Sequence, residues 1–182
     1  GIEAYLKRML VQVTKIGDGL ELARAVAPDK DPFAFVGRTA LIARYRDAEP
    51  SFLVLRALDP DRLGGVIQPA QIDAALEDEL NRAFDTALRG SIYVGDALRV
   101  PSLPDPGIVM AVPVAAGEWG ALGVVEVFVS LAPIRSLLEQ ENKRLRALLD
   151  MRTRQPVEGR IAEILYAARD PFSRRVIIDK GS

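Results

Sequence analysis

The 182-residue sequence contains no cysteine and no histidine. Structural zinc sites of the Cys/His type and iron–sulfur clusters therefore lose their usual ligands, and thiol catalysis loses its nucleophile. A Ser-His-Asp triad and a pH switch based on imidazole are excluded because both require histidine. We predict no cofactor and no metal.

Neither sign of charge is in excess. The 24 basic and 25 acidic residues give a formal net charge of −1, and the basic residues form no continuous block. Since nucleic-acid binding requires a basic surface, we predict no nucleic-acid partner. The longest apolar runs are also shorter than the roughly 20 residues that a membrane span requires. A hydrophobic content of 49% nevertheless indicates a globular protein.

The most informative segment is 107–134. It holds two apolar runs, 108–114 and 122–131, on either side of a short segment with Gly117 and Gly120. Runs of Val, Ile and Phe interrupted by glycine are typical of paired antiparallel strands.

Four further elements precede this pair. We predict strands at 51–58 and 63–68, a helix at 71–88 and a short strand at 90–95, followed by a proline-rich loop. The order strand, strand, helix, strand, strand, strand is that of a PAS-like sensor domain of the α+β class.

Helical patterns flank the predicted sheet region, 51–131. Apolar residues with alternating four- and three-residue steps predict a long helix over 2–27, with a kink or break near Gly17 and Gly19. A second helix is expected to begin near Asp31-Pro32. An exit helix is predicted over 132–150. We therefore expect one domain over 1–150, and 151–182 as an extension or the start of a second lobe.

No catalytic signature is readable. Gly17-x-Gly19 follows no strand, no Walker-type lysine is present, and no serine lies in a Gly-x-Ser-x-Gly elbow. We predict that the protein is not an enzyme. The acidic run at 77–79 is interpreted as a solvated helix face, and Glu126 as a solvent-facing residue of the sheet.

Candidate ligand-binding residues lie mainly at the end of the predicted helix 71–88. Arg89 can bind a carboxylate or phosphate with two hydrogen bonds, and Ser91 and Tyr93 can add polar contacts from the next strand. The alternative is that Arg89 complements the helix dipole and Tyr93 fills the core. Arg56, within an apolar strand, is either an outward-facing residue or an anion binder. We include Met110 as a fifth candidate.

Four pieces of the chain together resemble a Cache domain, the extracytoplasmic PAS-like sensor of bacterial receptors. They are the long first helix and the segments FLVLRALDPDRLGGVIQP, ALEDELNRAFDTALRGSIYVGD and GIVMAVPVAAGEWGALGVVEVFVSL. The resemblance covers about 2–150. It implies a five-stranded antiparallel sheet, with a ligand pocket between the sheet and its connecting helix and loops.

The resemblance also implies a role. A Cache domain senses a small ligand outside the cytoplasm for a histidine kinase, chemoreceptor or diguanylate cyclase of the inner membrane. Membrane anchoring is expected from segments outside these 182 residues, and a homodimer through the first helix. The ligand is expected to be an organic anion or an amino acid. Ligand motifs of the family do not match, since Trp119 is expected in a turn and histidine is absent.

Other interpretations remain open from the sequence. A cytoplasmic GAF or PAS module shares the plan of a sheet with flanking helices. A dimerisation module with a vestigial pocket would also fit.

Overall fold

The computed structural model describes residues 1–26, 35–115 and 120–152. The chain divides into two units, one formed by Glu3–Ala132 and the other by Gly1–Ile2 with Pro133–Ser182. The first unit carries the sheet and its helices, and the second is represented here by one helix. The prediction of a separate region from residue 151 concerns residues that lie mostly outside the described part of the chain.

Four helices are present in the described residues. They are α1 (Ile2–Val26), α2 (Phe35–Ala48), α3 (Ala74–Leu88) and α4 (Ala132–Arg152). The predicted start of α2 near Asp31 lies outside the described residues. The predicted exit helix is confirmed by α4.

Five strands form one sheet. They are β1 (Phe52–Leu58), β2 (Gly64–Ile67), β3 (Tyr93–Leu98), β4 (Gly107–Val114) and β5 (Gly123–Ser130), in the spatial order β2-β1-β5-β4-β3. Every neighbouring pair is antiparallel. The predicted five-stranded antiparallel sheet of the α+β class is therefore confirmed.

The sequence explains why β4 and β5 occupy the middle of the sheet. Both are nearly continuous runs of apolar residues, and almost every position in them is buried. Such runs suit strands that are covered on both faces. β2 and β3 lie at the edges, where exposed positions interrupt the burial.

One face of the sheet packs against α3. The helix contributes a buried apolar stripe with helical spacing, and β1, β4 and β5 contribute alternate residues to the same core. This core comprises Val54, Leu58, Leu76, Leu80, Ala83, Phe84, Ala87, Val100, Leu103, Val109, Ala111, Val124 and Phe128.

The opposite face carries α1. A Cβ added at Gly17 would lie 3.7 Å from the side chain of Val112 and 3.8 Å from that of Val114. The buried residues of α1 recur every three or four positions, as a helix lying on a sheet requires. Among the side chains that the structure describes in α1, the buried hydrophobic ones are Tyr5, Met9, Val13, Ile16 and Leu20.

The predicted break in the first helix was wrong, and the predicted kink stays a prediction. α1 runs without interruption through Gly17 and Gly19. Burial of the apolar stripe of α1 outweighs the low helix propensity of two glycines, about 1 kcal/mol each.

The third strand begins later than predicted. Gly90 has a φ of 92° and its N–H donates to the carbonyl of Ala87, so the chain is still turning out of α3 there. β3 then extends to Leu98, because it pairs with β4 as far as Gly107. Part of the predicted proline-rich loop is therefore strand.

Candidate functional site

Three of the five predicted ligand-binding residues follow the end of α3. Arg89 is the C-cap residue of the helix, and its side chain is exposed. Ser91 is also exposed, and its backbone N–H donates to the carbonyl of Thr86. Tyr93 is half-buried at the start of β3. Of these three residues, Tyr93 lines a cleft between α3 and β3.

The other two predicted residues lie elsewhere. Val54 and Leu58 on β1 pack against α3, so alternation along the strand places Arg56 on the same face. Val109 and Ala111 on β4 also face α3, so Met110 points to the face that carries α1. The five candidates therefore form no single cluster.

A cleft of about 390 Å³ lies between α3 and the edge strand β3. Its volume is within the range of small-molecule sites, roughly 300–1,000 Å³. The side chains that line the cleft come from one face of α3 and from β3, including its last residue, Leu98. The lining residues are Ala75, Asp78, Glu79, Arg82, Tyr93, Asp96, Ala97 and Leu98.

Glu79 organises the polar part of this cleft. Its carboxylate accepts a 2.5 Å hydrogen bond from the Tyr93 hydroxyl and forms an ion pair with Arg82. The close approach depends on Gly95, because a Cβ at that position would overlap the Glu79 carboxylate. The contact links α3 to β3.

Burial raises the pKa of Tyr93 to about 12, and the hydrogen bond to Glu79 acts in the same direction. The phenol therefore remains a hydrogen-bond donor throughout the physiological pH range.

The remaining polar groups of the cleft are available to a ligand. Within the described residues, the side-chain carboxylates of Asp78 and Asp96 make no hydrogen bond or ion pair with the protein. The side chain of Arg82 is 69% exposed, so its guanidinium has donors beyond those used on Glu79. The cleft thus offers two free carboxylates and one accessible guanidinium.

Sequence reasoning missed Asp78, Glu79, Arg82 and Asp96 as site residues. The interpretation of 77–79 as a solvated helix face was wrong for Glu79, which is only 8% exposed. One clue was available in the sequence, since 75, 78, 79 and 82 share one helical face.

A second polar group lies on the same side of the sheet. We call Arg56, Gln68, Glu77 and Glu126 the Arg56 cluster. The Arg56 guanidinium donates to Gln68 at 2.8 Å and to the two carboxylate oxygens of Glu77 at 3.3 and 2.8 Å. Arg56 is 8% exposed, which contradicts the predicted outward-facing role, whereas its role as an anion binder stays a prediction.

Glu126 lies beside Arg56 on β5, at the register position directly opposite it. The prediction that Glu126 faces solvent was wrong, because the side chain is 1% exposed. Its Oε2 is 3.8 Å from an Arg56 nitrogen, and neither carboxylate oxygen has a hydrogen-bond partner among the described residues. Burial raises the pKa of Glu126 to about 7, although Arg56 acts to lower it.

No group of histidine or carboxylate residues suited to a metal ion is found in the described part of the chain. Among the same residues, no helix is both long enough and apolar enough to cross a membrane.

No model of a known protein family matches the chain. A short segment is similar to the cell shape-determining protein MreC of Escherichia coli, with 43% identity over 44 residues. This match covers 24% of the chain and 12% of MreC, so it says nothing about most of either protein.

Solved structures give a broader likeness. The sensory domain of the Campylobacter jejuni chemoreceptor Tlp3 matches 75% of the chain with a TM-score of 0.55 and 12% identity. The ligand-binding domain of the Pseudomonas fluorescens chemoreceptor CtaA, in complex with L-valine, matches 76% with a TM-score of 0.50 and 13% identity. The chain spans just over half of these domains, 57% and 59% of their lengths.

The fold is therefore that of the sensory domains of bacterial chemoreceptors. This confirms the predicted Cache-like, PAS-type architecture. The matched domains are sensory or ligand-binding domains of chemoreceptors.

Proposed function

We propose that the chain is the ligand-sensing domain of a bacterial signal transducer and that it binds a small amino acid or related amine in the cleft between α3 and β3. The observation that carries the proposal is the cleft itself, in which unpaired carboxylates and an accessible guanidinium line one cavity in this fold.

The charges of the cleft favour a ligand with an ammonium group. Asp78 and Asp96 supply negative charge that the protein leaves uncompensated, while Glu79 is already neutralised by Arg82. An ammonium group can approach the two aspartates, and a carboxylate can approach the exposed side of Arg82. A simple organic anion would meet a surplus of negative charge. L-Valine in the CtaA and Tlp3 complexes is a ligand of the proposed class.

Ligand binding would act through the relative position of α3 and β3. A ligand that contacts both elements stabilises the arrangement in which they are closest, and it shifts the population only by its preference for that arrangement. In the proposed receptor the domain lies outside the cytoplasm of a cell with an inner membrane. Segments beyond these residues anchor it, α1 contributes to a homodimer, and a chemotaxis, kinase or cyclase module receives the signal.

Thermal denaturation in the presence of a ligand panel tests this proposal. The panel contains the common L-amino acids, short alkylamines and dicarboxylates, each at 1 and 10 mM. A ligand that binds only the folded chain at 100 times its Kd adds about 2.7 kcal/mol of stability, which raises the Tm by several degrees. We expect shifts with amino acids or amines and none with dicarboxylates.

Asp96→Asn should remove the shift while leaving the unliganded Tm within about 1–2 °C, because Asp96 is exposed and unpaired in the described structure. Asp47→Asn is the matched control, since Asp47 is an exposed aspartate of α2 outside the cleft. No shift with any amino acid or amine, or an equal shift in the Asp96 variant, would contradict binding in the cleft.

The short match to MreC favours a second candidate, a role in cell shape. Deletion of the gene and phase-contrast microscopy of the cells test it. Cells of altered width or length, restored by the intact gene and by the Asp96→Asn variant, would support the role in cell shape over ligand sensing.

A further inference from the structure

We propose that the Arg56 cluster is a proton-sensitive switch, in which Arg56 moves from Glu77 of α3 towards Glu126 of β5 when Glu126 loses its proton. The switch then responds to the protonation of Glu126 on the sheet, and it requires no ligand in the cleft between α3 and β3.

The geometry places one cation between two carboxylates from different elements. Glu77 holds the Arg56 guanidinium with two hydrogen bonds, whereas the Glu126 oxygen at 3.8 Å is too far for one. A displacement of about 1 Å would bring Arg56 into hydrogen-bond distance of Glu126. Gln68 accepts a hydrogen bond from the Nε of Arg56, and we expect this bond to persist while the guanidinium turns.

The two carboxylates differ in environment. The side chain of Glu77 is 43% exposed, and the hydrogen bonds from Arg56 lower its pKa. Glu126 is buried without hydrogen-bond partners in the described structure, so its neutral form fits the site and its ionised form does not. An ionised Glu126 therefore competes for Arg56 much more strongly than a neutral one.

The other charges near Glu126 do not remove this competition. From the β1–β2 turn, Arg62 lowers the pKa of Glu126, and from α3, Glu77 and Asp85 raise it. Arg62 and Asp85 form an ion pair with each other at 2.9 Å, so their effects partly cancel. On β4 the register neighbour of Glu126 is the uncharged Ala111. Arg56 is thus the cation that responds.

Movement of Arg56 would loosen the first turns of α3. Glu77 is in the first turn of the helix, and its ion pair with Arg56 ties that turn to β1. The buried apolar residues from Leu80 to Ala87 hold the rest of the helix on the sheet. The switch therefore changes the beginning of α3 without unfolding the domain.

Hydrogen exchange of the complete 182-residue chain between pH 5.5 and 8.5 tests the proposal, after correction for the intrinsic pH dependence of exchange. We expect protection of the amides at 75–80 to fall about three- to tenfold across neutral pH, while amides of β5 keep theirs. Glu126→Gln should abolish this stepwise fall in protection. Glu139→Gln, which removes an exposed carboxylate of α4, should retain it. A wild-type profile without a step, or the same step in Glu126→Gln, would overturn the proposal.

Two measurements keep the test decisive if Glu126→Gln does not fold. Carbon-13 NMR of the glutamate carboxyls in the wild-type chain should show one glutamate whose chemical shift titrates with a midpoint near neutral pH. This signal should be absent from the spectrum of any Glu126 variant that folds. If every glutamate titrated below pH 5, the switch would be excluded. In Glu77→Gln, Arg56 has no competing partner on α3, so protection at 75–80 should be low throughout and show no step; a retained step would count against the mechanism.

Discussion

The hydroxyl of Tyr5 on α1 donates a 2.7 Å hydrogen bond to the backbone carbonyl of Ser130 at the end of β5. Ser130 is also the point at which the chain leaves the sheet, since its Oγ accepts a hydrogen bond from the backbone N–H of Ala132 at 3.1 Å and donates to Asp105 at 3.2 Å. One buried serine thus joins the first helix, the loop before β4 and the end of the last strand.

Tyr5→Phe removes the donor from this junction and should destabilise the chain by about 1–2 kcal/mol, because a buried carbonyl loses a partner. Urea denaturation measures the difference. Tyr45→Phe is the matched control, since among the described residues the Tyr45 hydroxyl makes only a long 3.4 Å contact with the carbonyl of Lys15. Equal losses in the two variants would show that the Tyr5 bond contributes little.

Replacement by alanine should lower the stability of the chain at Gly107 of β4 and raise it at Gly17 of α1. Gly107→Ala places a Cβ against the Phe128 ring and the carbonyl oxygen of Val129, and should cost about 1–3 kcal/mol by overpacking. Gly17→Ala lies in α1 with ordinary contact distances of 3.7 Å, and should gain about 0.5–1 kcal/mol from helix propensity. Thermal denaturation of both variants checks the pair, and a destabilised Gly17→Ala would contradict the described packing of α1 on β4.

Arg62 combines a strained backbone with several favourable contacts. Its φ is 62°, its guanidinium lies 4.2 Å from the centroid of the Phe84 ring, and it pairs with Asp85. Arg62→Ala keeps the strain and loses the contacts, so we expect a loss of about 1–2 kcal/mol. Arg62→Gly loses the same contacts but accepts a positive φ, and should be about 0.5–1 kcal/mol more stable than Arg62→Ala. Urea denaturation distinguishes the two; the reverse order would argue against the left-handed conformation at this turn.

The central strands were predictable because their sequence pattern is strong. β4 and β5 are long apolar runs separated by glycines, and α3 has a clear apolar stripe between turn residues. The start of β3 was harder to predict, since a short edge strand is only partly buried and Gly90 permits a longer turn. Local patterns determine the elements, whereas the last residues of each depend on pairing.

The polar contacts could not be predicted from local patterns. Glu79 meets Tyr93 only because α3 lies over the edge strand, and that crossing is set by the whole core. Glu126 was expected to face solvent because a charged residue in a strand usually does. The register places Glu126 opposite Arg56, which is also a lone charge in an apolar run. Two lone and opposite charges in neighbouring strands were the clue in the sequence that the side chains could pair.

Ionisation of Glu126 should make the free energy of unfolding depend on pH, and this dependence should extend to pH values above those at which carboxylates usually titrate. In the unfolded chain the pKa is near its ordinary value of 4.5, whereas burial in the folded chain raises it to about 7. The folded state therefore holds a proton that the unfolded state releases between these values, so stability falls as the pH rises from 4.5 to 7 and is constant above. The expected loss is on the order of 3 kcal/mol.

Urea denaturation of the wild type and Glu126→Gln between pH 5 and 8 measures this dependence. The variant should match the wild type within about 1 kcal/mol at pH 5 and exceed its stability at pH 8, because a neutral amide has no proton to lose. Glu77 and Asp73 do not interfere, since their pKa values are lowered and their contributions are lost only in more acidic solution. Glu139→Gln should follow the wild type, and a decline of equal size in Glu126→Gln would show that another group is responsible.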